Sequence, residues 1–170
     1  MNGQEKILII DDVEANVDLL EALLAKFNFI ILKAYGGREG LELAKKERPN
    51  LILLDIMMPD VNGFQVCEAL RQDHSFTSVP IVMVTAKDTD DDIIKSLEKG
   101  ADDYIIKPVK REDLIKKINV LLVKAKKGDL PSQYYLERKK MQQEGKVTSL
   151  TDYARLCNFD EVPNDSKESK

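Results

Sequence analysis

The chain has 170 residues, of which 43% are hydrophobic and 33% charged, with a formal net charge of −4. That length holds one domain plus a remainder, the composition excludes a wholly disordered chain, and no apolar run approaches the ~20 residues of a membrane span. The acidic balance provides no global basic field for nucleic acid. Met1 to Lys6 lacks the long apolar core of a secretory signal, and Cys67 and Cys157 have no disulfide-framework or zinc spacing. A cytoplasmic protein is expected.

Short apolar runs and helical spacings then alternate. Ile7 to Ile10 is unbroken, as in a strand buried on both faces of a parallel sheet. Val17, Leu20, Ala22, Leu23 and Leu24 follow with helical spacing, acidic residues opposite. Phe29 to Ala34 is the second run, and Leu41, Leu43 and Ala44 mark the next helix. Leu51 to Leu54 is again unbroken, with Phe64, Cys67 and Leu70 on the helix behind it. Ile81 to Val84 is the fourth run. Ile93, Ile94 and Leu97 mark a helix closed by Gly100, where a left-handed residue is favoured. Tyr104 to Ile106 is the fifth run, and Leu114, Ile115, Ile118, Leu121 and Leu122 mark the last helix.

Five such units make a (βα)5 chain. Right-handed crossovers fold it into an α/β doubly wound, five-stranded parallel sheet with helices on both faces. Gly128-Asp129-Leu130-Pro131 breaks the pattern. The chain is therefore expected to divide into a domain, residues 1–127, and a short helical C-terminal extension, residues 128–170. The extension is read as a helix from Ser132 to Gln143, a second near Leu150 to Leu156, and a polar tail from Asn164 to Lys170.

Ligands of open α/β sheets bind beyond the carboxyl ends of the strands. Asp11 and Asp12 follow the first run, Asp55 the third, Thr85 the fourth, and Lys107, before Pro108, the fifth. In the 2-1-3-4-5 order, one of the common doubly wound arrangements, the first and third strands are neighbours, so three carboxylates converge. Like charges that close raise one another's pKa unless a cation intervenes. Mg²⁺, which takes carboxylate, water and phosphate oxygens, suits the set. With a Lys and a hydroxyl opposite, these are the parts of a phosphoryl-transfer site, Asp55 being the best nucleophile candidate. Singly, each residue has a plainer explanation: a helix cap for one of Asp11 and Asp12, a turn residue for Thr85, a solvent-facing Lys107. The informative feature is four strands each ending in a complementary group.

Four motifs, Ile-Leu-Ile-Ile-Asp-Asp, Leu-Ile-Leu-Leu-Asp-Ile-Met-Met-Pro-Asp-Val-Asn-Gly, Val-Met-Val-Thr-Ala and Gly-Ala-Asp-Asp-Tyr-Ile-Ile-Lys-Pro, occur in this order. From about Lys6 to Lys124 the chain thereby resembles the receiver domain of bacterial two-component response regulators, with their chemotaxis-regulator-like fold. The resemblance implies that Asp55 accepts a phosphoryl group from a histidine of a partner histidine kinase or histidine phosphotransfer protein. It implies that Asp12, Asp55 and the backbone carbonyl of Met57 ligate Mg²⁺, with Asp11 acting mostly through water. Thr85 and Lys107 would contact phosphoryl oxygens, the Lys107–Pro108 peptide bond would be cis, and Tyr104 would be the switch aromatic that responds to Thr85. Gly63 matches the glycine ending the loop after the acceptor. Phosphorylation would switch contacts with a downstream protein target, possible homodimers forming through the fourth helix, fifth strand and fifth helix. No enzyme activity beyond Mg-dependent self-phosphorylation and slow self-dephosphorylation is implied, and no direct nucleic-acid or membrane binding.

Other residues read modestly. Met57 and Met58 are expected as loop contacts, His74 at the surface, Cys67 in the core, and Arg138-Lys139-Lys140 on a solvated helix face. The sequence after Gly128 is too short for a typical effector module, so a stand-alone receiver is expected, the alternative being the receiver part of a truncated larger regulator. A rival of another class is a haloacid-dehalogenase-type Mg-dependent aspartyl phosphatase. Its nucleophile is followed two residues later by a second acid; here that residue is Met57.

Overall fold

The runs of Ile, Val and Leu form one parallel sheet in the order 2-1-3-4-5. In the computed structural model, residues 3–86, 89–134, 141 and 143–145 are described. The strands are β1 (Glu5–Ile10), β2 (Phe29–Ala34), β3 (Leu51–Asp55), β4 (Ile81–Thr85) and β5 (Asp103–Ile106). Between and after them lie α1 (Glu14–Leu24), α2 (Gly37–Glu47), α3 (Gly63–Gln72), α4 (Asp90–Glu98) and α5 (Arg111–Lys127). Single 3₁₀ turns follow α3 at His74–Phe76 and α5 at Pro131–Tyr134.

Alternation along the strands divides the core in two. Leu8, Ile10, Ile52, Leu54, Ile81 and Met83 point to one face, where Ala44 of α2 and Phe64, Val66, Cys67 and Leu70 of α3 cover them. Ile7, Ile9, Leu51, Leu53, Val82, Val84 and Ile105 point to the other, covered by Val17, Leu20 and Leu24 of α1 and Leu114, Ile118, Leu121 and Leu122 of α5. Covered on both sides, Ile7–Ile10 of β1, Leu51–Leu54 of β3 and Ile81–Val84 of β4 have no use for polar side chains, which explains their unbroken runs. At about 1.5–3 kcal/mol per fully buried aliphatic side chain, these two layers are the main favourable term of the fold.

Local chemistry sets the helix ends. Asn62 and Gln65 form a reciprocal capping box on α3, each side chain accepting from the other's backbone N–H at 3.0 Å. Gly128 closes α5 in the left-handed conformation, φ 70°.

Several expectations need correction. Ala22 is exposed, because the buried stripe of α1 runs through Val17, Leu20 and Leu24 alone. Met58 is a core residue rather than a loop contact, packed in the same layer as Phe64. Asp55 and Thr85 are the last residues of their strands, as expected of the groups that end the apolar runs. His74 is exposed and Cys67 buried, as expected. The helix expected from Ser132 opens with the 3₁₀ turn; most of its length lies outside the described residues. So do the Leu150 to Leu156 helix, the Asn164 to Lys170 tail, Arg138-Lys139-Lys140 and Cys157.

Candidate phosphoryl-transfer site

Strand register brings the polar residues together. Ile10 pairs with Leu54, so Asp11 and Asp55 leave the sheet side by side. Asp55 pairs with Val84, and Thr85 pairs with Ile106, which puts Thr85 and Lys107 one step further along the same edge. The backbone N–H of Lys107 donates to the Thr85 carbonyl at 2.8 Å.

Asp11 is 1% exposed and Asp55 6% exposed. Burial pushes the Asp55 carboxyl above its ordinary value; the charges of Asp11 and Asp12 push it further, against the opposing pull of Lys107. The Lys107 ammonium lies 3.0 Å from Asp11 Oδ2 and 3.2 Å from Asp55 Oδ1, bridging the two buried carboxylates. Burial alone would lower the Lys107 pKa. The hydrogen bond to Asp11 and the charge of Asp55 outweigh it, and the net shift is upward.

Asp11 has a second, structural task. Its Oδ1 accepts the Val13 backbone N–H at 2.9 Å, and the Asn16 side-chain amide donates to both its oxygens at 3.2 and 3.0 Å. The bond to the Val13 N–H is a turn contact rather than the expected helix cap, because Val13 itself is the N-cap of α1 and no side chain caps that helix. Asn16 was not singled out in the sequence; its signal is a polar amide in the first turn of α1, close to the end of β1.

One carboxylate oxygen each from Asp11, Asp12 and Asp55 lie within 4.8 Å of one another. Asp12 Oδ1 is buried and accepts no hydrogen bond among the described residues. An orphaned buried carboxylate oxygen is costly, and an all-oxygen cluster of three acids fits a hard divalent cation such as Mg²⁺.

The acceptor's surroundings are tight. A Cβ on Gly63 would stand 2.2 Å from the Asp55 carbonyl oxygen, and the Gly63 N–H donates to the Ile56 carbonyl at 2.9 Å. Only a glycine lets α3 start this close to β3. Met57, two residues past Asp55, presents a side chain that is 61% exposed. Thr85 is buried, and Tyr104 is partly buried against the α2–α3 layer, with Lys117 Nζ 5.5 Å from its ring centre. The Lys107–Pro108 peptide bond is cis.

Residues 7–119 match the family model described as the response regulator receiver domain. The chain belongs to that family. It is 41% identical over 117 residues to protein PilH of Pseudomonas aeruginosa, covering 69% of this chain and 97% of PilH. It is 40% identical over 118 residues to the alkaline phosphatase synthesis transcriptional regulatory protein PhoP of Bacillus subtilis, covering 69% of this chain and 48% of PhoP. Among solved structures, a CheY-like receiver domain protein from Methanospirillum hungatei superposes with a TM-score of 0.67 at 32% identity, covering 74% of this chain and 99% of that one. The chain thus spans nearly all of PilH but about half of PhoP and 23% of the response regulator PleD of Caulobacter vibrioides.

The protein is a receiver of the two-component response regulator type, a signalling domain rather than a conventional enzyme. Such receivers work with histidine kinases and downstream effectors. The phosphatase alternative gains no support, and the second acid it requires is replaced by Met57. No helix among the described residues is long and apolar enough to cross a membrane.

Proposed function

We propose that Asp55 is the phospho-acceptor and that Asp11, Asp12 and Asp55, with the backbone carbonyl of Met57, hold Mg²⁺ beside it. The carrying observation is the Lys107 ammonium shared between Asp11 and Asp55, beside the orphaned Asp12 Oδ1. A cation already bridges the two buried carboxylates, and Asp12 beside them has an oxygen free for a metal.

In the transfer, an Asp55 carboxylate oxygen attacks phosphorus. The bond from phosphorus to the donor's imidazole nitrogen breaks, and its electron pair returns to that nitrogen. Bound Mg²⁺ would supply charge neutralisation for the phosphoryl oxygens. Lys107 exchanges its bond to Asp55 for one to a phosphoryl oxygen. The Thr85 hydroxyl donates to another, and its movement gives Tyr104 room to turn inward. Asp11 stays fixed by Val13 and Asn16, keeping the acid pair aligned.

The same proposal covers the donor, a histidine of a kinase or phosphotransfer protein, and slow autocatalytic acceptance and loss of the group. It also covers a cytoplasmic location and signalling through a protein target, with α4, β5 and α5 as the responsive surface and a possible homodimer face. The test is acetyl phosphate with Mg²⁺, read by intact mass. Wild type gains a phosphoryl group. Asp55→Asn keeps the fold and gains none, because an amide is not a nucleophile. A stable adduct of the same mass on Asp55→Asn would overturn the assignment.

A further inference from the structure

We propose that Asp102 is the docking site of the chain's own C-terminal segment, with Leu130 and Ser132 as the docked residues. On this reading the domain extends through Ser132, past the Gly128 break that the sequence points to. It goes beyond the phosphorylation reading and does not depend on it.

The segment is directed inward before it docks. At the end of α5 the Gly128 N–H donates to the Ala125 carbonyl at 3.2 Å and the Asp129 N–H to the Lys124 carbonyl at 3.0 Å. This is the paired closure of a left-handed helix stop. It reverses the chain and delivers Leu130, 0% exposed, into the α1–α5 layer of the core. A linker that merely followed the domain would leave that leucine in solvent.

Two residues later the Ser132 backbone N–H donates to Asp102 Oδ1 at 2.9 Å. Asp102 is buried, and its other oxygen is fully engaged, accepting Ile81 N–H at 2.9 Å and Arg71 Nη2 at 2.8 Å. Arg71, itself 1% exposed, also donates to the carbonyls of Gly100, Phe76 and Val79, at 2.8, 2.6 and 2.9 Å. A buried ion pair is tolerated only when its remaining lone pairs are satisfied. The receiver's own elements satisfy Oδ2, whereas Oδ1 accepts from the extension. Recognition uses the Ser132 backbone, since the Ser132 hydroxyl is buried with no hydrogen-bond partner among the described residues.

Asp102 immediately precedes β5, and Ile81 opens β4, so the dock lies at the amino-terminal edge of a parallel sheet. Asp55 and Lys107 lie at the carboxyl edge. The segment up to Ser132 therefore docks at the edge opposite the phosphoryl site, leaving Asp55 uncovered by it.

The test is amide hydrogen exchange and trypsin cleavage after Lys127, both on the full chain. The Ser132 amide of wild type should exchange at least about tenfold slower than in an unstructured peptide. Leu130→Ala, which leaves the Arg71–Asp102 pair untouched, and Asp102→Asn should each remove that protection and speed cleavage. Ser132→Ala should leave both readouts unchanged, because only the backbone N–H is recognised. A wild-type Ser132 amide exchanging at the unstructured rate overturns the proposal, and this measurement needs no variant to fold. Unchanged protection in a folded Leu130→Ala overturns it equally.

Discussion

Gly63→Ala is the substitution that most directly tests how the fold holds the acceptor. The added methyl carbon would stand 2.2 Å from the Asp55 carbonyl oxygen, 2.8 Å from Ile56 Cα and 2.9 Å from the Asp55 carbonyl carbon. All three are backbone atoms of the strand end and loop, so no rotamer change relieves the clash. Reaching ordinary van der Waals contact near 3.4 Å requires α3 and the end of β3 to separate by about 1 Å. Overpacking of this kind costs about 1–3 kcal/mol, which at a typical urea slope moves the unfolding midpoint by roughly 1 M. The same displacement falls on the residue that must meet the phosphoryl group, and a misplacement of about 1 Å can cost ~100-fold in rate. The assay is a urea titration beside the rate of acetyl phosphate acceptance, with Gly3→Ala as control, since nothing lies within 4 Å of a Cβ there. If Gly63→Ala matches wild type in both midpoint and rate, the close approach of α3 to Asp55 is not what positions the acceptor.

Four further outcomes are expected. Asp12→Ala should weaken Mg²⁺ binding severely yet raise the melting temperature in chelator, because it removes a like charge and an orphaned buried oxygen; a clearly lower melt in chelator would contradict this. In chelator, stability should fall as pH rises from Asp55's ordinary 3.8 through its raised folded value. The folded state binds the proton more tightly than the unfolded state over that interval, and an Asp55→Asn chain showing the same slope would refute the assignment. Lys107 acts at the other end of the scale, its raised pKa contributing stability that is complete below 10.5 and lost as pH rises through the folded value. Beryllofluoride with Mg²⁺ should alter amide exchange across α4, β5 and α5 in wild type and much less in Thr85→Ala, since a ligand shifts an equilibrium only through contacts that differ between its states. Changes confined to the surroundings of Asp55 in wild type would break the proposed link from Thr85 to Tyr104.

The sequence by itself determined the elements and the list of groups at the strand ends. Strands covered on both faces must be continuously apolar, so Ile7 to Ile10, Leu51 to Leu54 and Ile81 to Val84 were legible, as were the polar residues that end them. Those signals are local: a period, a run, a break. Tertiary structure decided which distant groups share a partner. That Lys107 bridges Asp11 and Asp55 follows from the register of β1 on β3 and the position of β5 beside β4. Arg71 illustrates the same limit, for it follows Phe64 and Cys67 on the buried stripe of α3, where a charge looks misplaced until Asp102 is packed against it. Gly37, whose Cβ would meet the Val61 carbonyl at 2.3 Å, likewise reads as an ordinary glycine in sequence and as a close helix approach only in three dimensions. Periodicity reports which face of an element is buried. It carries no information on what lies across the interface, because that depends on crossover handedness and strand register summed over the whole chain.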